Sequence, residues 1–468
     1  MRKISYLLFL ILVVVGLTLA SKELTVSGVD GFKNVLDHYI ELGLKNNLVL
    51  KQEEFSLKKS LLALKEARGM FLPKISIEAR YSLAGGGRII EFPVGELMNP
   101  VYESLNQLLG IHNQPAQFPT DIEDEIIPFL RPREHETKIR LVQPIFQPRI
   151  YYNIKIKSNL RKIQQARIDT FKRQLISDIK TAYFTYLKTL KIKELLNTTR
   201  ELLEENLNVS LSLYRNHKAT EEIVFRSKAE LSRIDQKIAE AEKNIKLSAA
   251  YFNFLINQPL DNEISVVPEG KILFKDKLNP KELEDHAINH RTEFLQIQGA
   301  IDAASNHIRL QGSLFLPSVS AVLDYGFQGE SYRFTGEDDF WMASMVLSWN
   351  IFNGFQDSAK KIQAKIERKK LQTQLFELQQ KIRMQVREAY HNLVVAQKTI
   401  QSTNDGLNSR KEAFHIISKK YEQGMVPQIE YIQARDNYTH AGINNIIAVF
   451  DYHIKEAQLE RASAYHKL

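Results

Sequence analysis

The chain has 468 residues, no cysteine, and 63 lysine and arginine residues against 55 acidic ones, for a formal net charge of +8. The absence of cysteine excludes disulfides, thiol chemistry and a lipid-bearing N-terminal cysteine after export. The surplus positive charge is spread along the helical segments and is not gathered in one motif, so it does not indicate nucleic-acid binding.

Residues 1–20 have the pattern of a secretory signal peptide. Arg2 and Lys3 precede an apolar run from Tyr6 to Leu19, and Leu17-Thr18-Leu19-Ala20 offers a small-residue cleavage site. A retained membrane anchor is the alternative, but the run is short for a spanning helix and no stop-transfer pattern follows it. An exported chain without cysteine favours a periplasmic or outer-membrane location.

The first structural repeat, at 21–256, changes its hydrophobic period at Phe71-Leu72-Pro73. Before Pro73 the apolar residues recur at helical spacing, and after it they fall on every second position. Proline suits this junction because it disfavours helical geometry at the residue before it. The predicted elements are strands at about 73–84 and 135–146, an extracellular loop at about 85–132 with a short helix near 102–109, and long helices at 149–213 and 221–256.

The second repeat, at 281–466, follows a linker at 257–280 and has the same order of elements. The junction recurs at Phe315-Leu316-Pro317, again followed by alternation. Because this uncommon transition occurs twice, we infer that the chain arose by duplication. The predicted elements here are a helix at 282–311, strands at about 317–328 and 340–351, and long helices at 354–420 and 427–465.

The alternating segments have the length of membrane strands, which need about 9 to 11 residues. Four strands cannot close a barrel and open edges are not viable in lipid, but three copies supply twelve strands, enough for a water-filled lumen. A soluble sheet with one buried face would alternate equally well. On the membrane interpretation Ile75, Ile77 and Tyr81 face lipid. The candidates for the lumen face are Lys74, Glu78, Arg80, Lys138 and Arg140.

Several short motifs, taken in order, resemble the TolC-like outer-membrane efflux proteins. They are Ala67-Arg68-Gly69-Met70-Phe71-Leu72-Pro73 with its repeat at 315–317, Ile351-Phe352-Asn353-Gly354-Phe355, and Tyr421-Glu422-Gln423-Gly424 followed by Glu430 and Gln433-Ala434-Arg435. The resemblance covers nearly the whole mature chain. It implies a mainly α fold with membrane β: a trimeric twelve-stranded outer-membrane barrel continuous with a long periplasmic helical barrel.

The resemblance implies an exit duct in the outer membrane of a Gram-negative bacterium, not an enzyme. Such a homotrimer has a large periplasmic portion. It receives substrates from an inner-membrane transporter through a periplasmic adaptor protein, and the pump supplies the energy, so no cofactor is expected. Drugs, metal cations and secreted proteins all remain open as cargo. A secreted coiled-coil structural or adhesin-like protein is the alternative, because the helical heptads alone permit it. A soluble periplasmic enzyme or adaptor would require a catalytic constellation or compact domain that the sequence lacks.

The resemblance further implies that the turns between the long helices form a periplasmic aperture. Tyr421 falls on the position of a latching tyrosine, and Glu430 falls on the position of an acidic residue that rings the pore. In the first half, Glu221 and Glu222 lie beside the matching acidic position, which Ile223 occupies. Charged rings of this kind select ions by sign. Alternatively, Glu430 is an exposed carboxylate favoured by the helix dipole at a helix start.

Two positions depart from the family pattern at this aperture. Val426 stands where a latching arginine is expected, and Gln433 stands where a second acid is expected. The salt-bridge latch of the family therefore lacks two of its parts here. His286 and His290 have the i, i+4 spacing that can bind metal, but no third ligand is near in the sequence, so we expect no metal site.

Overall fold

A computed structural model of the chain describes residues 29–266 and 279–465. The predicted signal peptide at 1–20 and the centre of the predicted linker, 267–278, lie outside the described residues. Helices dominate the rest, and none of the described helices is long and apolar enough to cross a membrane. The helices are α1 Val29–Asn46, α2 Leu48–Gly69, α3 Val94–Ile111, α4 Pro148–Arg215, α5 Glu222–Leu255, α6 Pro280–His290, α7 Glu293–Gly312, α8 Gln356–Glu422 and α9 Gln428–Ser463.

The strands are β1 Lys74–Leu83, β2 Ile89–Phe92, β3 Glu125–Pro128, β4 Arg133–Phe146, β5 Ser318–Gly329 and β6 Asp339–Ser348. The residues divide into two compact units. The helical unit comprises the described residues up to Ser60, Leu160–Ile301, and those from Lys369 onward; the sheet unit comprises Leu61–Asn159 and Asp302–Arg368.

The helical unit has its main core around α4. Leu175, Ile179 and Ala182 recur at steps of four and three, which places them on one face of that helix, and all three are buried. Tyr39 from α1 and Phe252 from α5 pack on the same core, with their rings 4.9 Å apart and edge to face. The heptad-like spacing of the sequence is therefore the spacing of the buried helix face.

The sheet unit is built on four antiparallel strands in the order β1-β4-β5-β6. Strands β1 and β4 lie next to strands β5 and β6, and β4 pairs with β5 at the centre. Strands β1 and β6 are therefore the edges. The four strands lie in the alternating segments of the sequence, because successive side chains of a pleated strand point to opposite faces.

The segment between β1 and β4 is more regular than the sequence indicates. The helix expected near 102–109 extends over Val94–Ile111, and β2 and β3 form a small separate antiparallel pair. The side chain of Asp124 accepts hydrogen bonds from the backbone N–H groups of Gly95 and Glu96 at 3.0 and 3.1 Å. These bonds satisfy donors that a helix start leaves open, and so allow the longer helix.

The single helix expected at 282–311 is instead two helices. α6 ends at His290, where Arg291 has an extended backbone with φ −75° and ψ 126°, and α7 begins at Glu293. Thr292, at the break, is buried and its hydroxyl lies 2.6 Å from the hydroxyl of Thr170. This contact joins the break between α6 and α7 to α4.

Candidate functional site

The strand alternation separates an apolar face of the sheet from a polar one. On the apolar face, partner residues form rows across all the strands, and one row is Ile77, Ile139, Tyr325 and Trp341. These side chains are 75 %, 50 %, 48 % and 74 % exposed. A contiguous apolar surface of this kind is uncommon on a protein that meets only water, and it marks contact with lipid or with another protein.

All five lumen-face candidates lie on the opposite, polar face, because each is an odd number of residues away from the member of the apolar row on its own strand. Ser76, Arg140 and Asp324 are partners across β1, β4 and β5, and Glu78 and Lys138 are partners in the next row. Lys74 is exposed and lies at the start of β1. Alternation alone places these side chains on one face of the sheet, but it does not predict which charges pair.

Ion pairs connect the charges of the polar face. The Arg140 guanidinium donates to both carboxylate oxygens of Asp324, at 2.9 and 2.8 Å, and also lies 3.2 Å from Glu78. Glu136 joins Lys138 at 2.6 Å and Arg80 at 3.4 Å. The Asp324 side chain is fully buried, and a bidentate pair with arginine is the arrangement that best compensates a buried carboxylate.

The turns at the ends of the long helices come together through Gln428, in the first turn of α9. Its side-chain amide is buried and donates to the carbonyl of Ile223 at 3.1 Å and to the hydroxyls of Ser227 at 2.7 Å and Ser210 at 3.2 Å. Ser227 in turn donates to Asn206 at 3.1 Å. Gln428 thus joins the α8–α9 turn to the α4–α5 turn, which brings the predicted residues of both halves into one region.

The predicted aperture residues differ in their surroundings. Tyr421 stacks on Tyr431 with ring centroids 4.9 Å apart, and burial raises the pKa of the Tyr431 phenol. Glu430 is exposed in the first turn of α9, and its carboxylate has no partner among the described residues. Glu221 is likewise exposed, whereas Glu222 forms an ion pair with Arg226 within α5.

A charged cluster near these turns was not assigned a role from the sequence. Arg435 is 2 % exposed, and its Nη2 atom donates to Glu230 of α5 at 2.7 Å and to Asp436 at 2.6 Å. Arg233 binds the same two carboxylates. Burial alone would raise the pKa of Asp436, but the hydrogen bond from Arg233 and the charge of Arg435 outweigh it and hold the pKa below its ordinary value.

A sequence signal for this cluster does exist in α9. Tyr431, Ile432, Arg435 and Thr439 follow one another at helical core spacing, and all four are buried. A charged residue in the phase of a buried stripe requires a partner, because a lone buried charge is very costly. The partner can be identified only from the folded structure, because Glu230 lies 205 positions earlier in the chain.

The histidine pair of α6 has a structural role in the described part of the chain. The rings of His286 and His290 stack with centroids 4.0 Å apart, and Nδ1 of His286 lies 2.9 Å from the carbonyl of Ser463. Among the described residues no group of three histidine, cysteine, aspartate or glutamate side chains is placed to hold a metal ion.

The fold is similar to that of solved outer-membrane channels, and part of the sequence matches a family model. Residues 283–464 match the family model described as outer membrane efflux protein, whereas no curated protein matches the chain. The CmeC outer membrane channel of Campylobacter jejuni has a TM-score of 0.75 at 15 % identity, covering 95 % of this chain and 89 % of that chain. A membrane protein from Pseudomonas aeruginosa has a TM-score of 0.73 at 15 % identity, with coverages of 92 % and 93 %.

The outer membrane protein VceC from Vibrio cholerae has a TM-score of 0.71 at 14 % identity, covering 92 % of this chain and 95 % of that chain. These structural likenesses define the class of fold, that of the outer-membrane channels. Together with the family match, they confirm the predicted resemblance to the TolC-like outer-membrane efflux proteins.

Proposed function

We propose that the protein is the exit duct of a tripartite efflux or type I secretion system. In this proposal the protein is a homotrimer whose strands close a twelve-stranded barrel. Its partners are a periplasmic adaptor protein and an inner-membrane transporter. The chain itself carries out no catalytic step, because the transporter supplies the energy. The segregation of the sheet supports this function most directly: one face is apolar and exposed, and the other carries paired charges.

The free edges of the sheet support the trimer. Strands β1 and β6 have neighbours on one side only, so their outer backbone groups need partners wherever the sheet lies in lipid. Pairing β6 of one copy with β1 of the next satisfies those groups and repeats until the barrel closes. A coiled-coil structural or adhesin-like protein, the other candidate, gives no reason for an amphipathic sheet with two open edges.

The proposal includes a gate at the helix turns. Its proposed lining residues are Tyr421, Glu430, Glu221 and Glu222. The salt-bridge latch of the family is not available, because Val426 and Gln433 replace two charged residues. In its place, hydrogen bonds of Gln428 connect the two turns. Supporting this assignment, the amide of Gln428 is buried and donates to groups of α4 and α5, so separating the turns would break these hydrogen bonds. Opening the gate then has an energetic cost that a docking partner must supply.

The lipid and lumen faces can be tested with single cysteines, since the chain has none of its own. Ile77 and Glu78 are sequence neighbours on opposite faces, so Ile77→Cys and Glu78→Cys form a matched pair. In proteoliposomes, we expect a charged membrane-impermeant maleimide to label position 78 but not position 77. A fluorophore attached to position 77 should instead lose fluorescence when the lipids carry a quencher.

The trimer and the duct can be tested on the detergent-purified chain. Native mass spectrometry should give the mass of three chains, and planar bilayers should show ion conductance. A soluble monomer, or a labelling pattern in which positions 77 and 78 react alike with the impermeant reagent, would contradict the duct.

A further inference from the structure

A cavity of about 510 Å³ lies in the sheet unit, where the first turns of α4 and α8 meet the start of β5 and the end of β6. Its volume is within the range of about 300–1,000 Å³ that is usual for small-molecule pockets. The wall is mainly polar, and no residue predicted from the sequence to line the lumen contributes to it. The polar side chains that carry the argument are Arg149, Lys360, Asp357, Gln311, Asn350 and Asn353.

The cavity opens at one end of the polar face of the sheet. Ser318 and Ser348, which line it, are partners in the β5–β6 pairing. Ser318 and Ser320 are an even number of residues from Asp324 on β5 and therefore lie on the same, polar face. Gln147, in the cavity wall, donates to the hydroxyl of Ser320 at 3.1 Å. In the proposed duct the polar face lines the lumen, so a solute in the lumen would have access to the cavity; this step rests on the proposed function.

The charges of the cavity wall favour an anion. The Arg149 side chain is exposed and has no partner among the described residues. Lys360 lies 3.7 Å from Asp357, whose buried carboxylate also accepts from Asn353 at 3.5 Å. Two cations against one carboxylate leave one positive charge uncompensated. The N-termini of α4 and α8 add partial positive charge in the same wall, because their first N–H groups have no partner within the helix.

We propose that this cavity binds a small hydroxylated carboxylate, of the size and chemistry of a sugar acid, on its way through the lumen. Arg149 and Lys360 pair with the carboxylate. The amides of Gln311 and Asn350 hydrogen bond with the hydroxyl groups. Asp357 holds Lys360 in place and disfavours a cationic solute, so the site discriminates by charge.

Three probes of one ring size test the charge selectivity: glucuronate, glucose and glucosamine carry charges of −1, 0 and +1. Titration calorimetry on the detergent-purified full-length protein should show glucuronate binding at least about tenfold more tightly than glucose, because a charge-assisted hydrogen bond contributes about tenfold or more in affinity. Glucosamine should bind most weakly. Equal affinity for glucuronate and glucose, or tighter binding of glucosamine, would overturn the proposal.

Variants test the location of the site. Arg149→Gln and Lys360→Gln should each weaken glucuronate binding about tenfold or more, whereas Arg149→Lys should retain most of it. Lys365→Gln is the matched control, since Lys365 is an exposed lysine of the same helix, α8, that does not line the cavity. If Lys365→Gln weakens binding as much as Lys360→Gln, the effect is general electrostatics and the site assignment is wrong.

Planar bilayers separate this inference from the duct on which it rests. Millimolar glucuronate should reduce the single-channel conductance of the wild-type protein and not that of Arg149→Gln, while glucose reduces neither. A protein that conducts but shows no glucuronate binding or block refutes the cavity alone. A protein that binds glucuronate but never conducts refutes the duct and, with it, access from a lumen.

Discussion

At the scale of single residues, the degree of burial determines how much each arginine near the helix turns contributes to stability. Arg435 and Arg233 bind the same two carboxylates, but Arg435 is 2 % exposed and the Arg233 side chain is 46 % exposed. Loss of Arg435 leaves both carboxylates paired with Arg233 but removes two charge-assisted hydrogen bonds that are shielded from water. An exposed pair contributes little, since water replaces the lost partner.

Because Glu230 and Asp436 keep Arg233 as a partner, we expect Arg435→Met to destabilise the protein by about 1.5–3 kcal/mol, the size of a hydrogen bond to a charged group. Arg233→Met, the matched control, should cost less than about 1 kcal/mol. The measurement is the denaturant midpoint of the detergent-solubilised protein, followed by far-UV circular dichroism. Equal shifts of the midpoint in the two variants would show that burial does not set the contribution of Arg435.

The same residue shows what a sequence can and cannot reveal at this scale. The sequence resemblance drew attention to Gln433-Ala434-Arg435 and to Glu430, because both lie in a short recognisable motif. The partner of Arg435, Glu230, belongs to the other repeat, and the buried contacts of Gln428 are likewise in that repeat. Such pairs depend on how the two halves pack, which no local pattern encodes.

At the scale of elements, the strands of the four-stranded sheet were predictable from the sequence, whereas the structure of the segment between β1 and β4 was not. Alternation marks a strand because each residue points to the opposite face from its neighbour. The helix Val94–Ile111 depends on long-range hydrogen bonds, since its first N–H groups bind Asp124 and its Asn99 binds Ile122. These partners lie more than twenty positions away, where the weak periodicity of the sequence gave no sign of them.

Gly326 controls the pairing of β4 with β5, the strands that join the two repeats. It lies opposite Lys138, and a Cβ atom at this position would lie 2.4 Å from the carbonyl oxygen of Thr137 and 2.6 Å from the Cβ of Lys138. Backbone atoms cannot yield as a side-chain end can, so any side chain at this position must displace one strand from the other.

We expect Gly326→Ala to lower the yield of folded protein in the membrane and to reduce its denaturant midpoint by an amount typical of overpacking, about 1–3 kcal/mol. Gly336→Ala is the control, because a Cβ atom there has nothing within 4 Å. Insertion can be followed by the detergent-extractable folded fraction. A normal yield and midpoint for Gly326→Ala would mean that the two strands separate without cost.

At the scale of the whole molecule, the duplication that the sequence indicates would account for both the central strand pairing and the two helix turns. Each half of the chain supplies two strands of the four-stranded sheet and one helix turn, and the polar contacts of Gln428 and Arg435 join the turns of the two halves. The turns nevertheless differ in sequence, since Glu430 has Ile223 as its counterpart. A trimer would thus present three copies of Glu430, and the flanking acids Glu221 and Glu222 would set the remaining charge.

The ring assignment of Glu430 predicts a change in ion preference. If three Glu430 carboxylates line the narrowest part of the pore, Glu430→Gln should lower the ratio of cation to anion permeability by about twofold or more, because a charged ring raises the local concentration of the opposite ion. Reversal potentials of reconstituted trimers in a salt gradient measure this ratio. Glu412→Gln, an exposed acid of α8 away from the turn, should leave it unchanged.

The two interpretations of Glu430 differ in which measurement responds. As a carboxylate that only favours the start of α9, Glu430 would contribute about 0.3–1 kcal/mol to stability through the helix dipole and nothing to ion preference. A reversal potential unchanged in Glu430→Gln, together with a small drop in denaturant midpoint, would assign it that local role. The pore charge would then have to come from Glu221, whose carboxylate is also exposed and without a partner among the described residues.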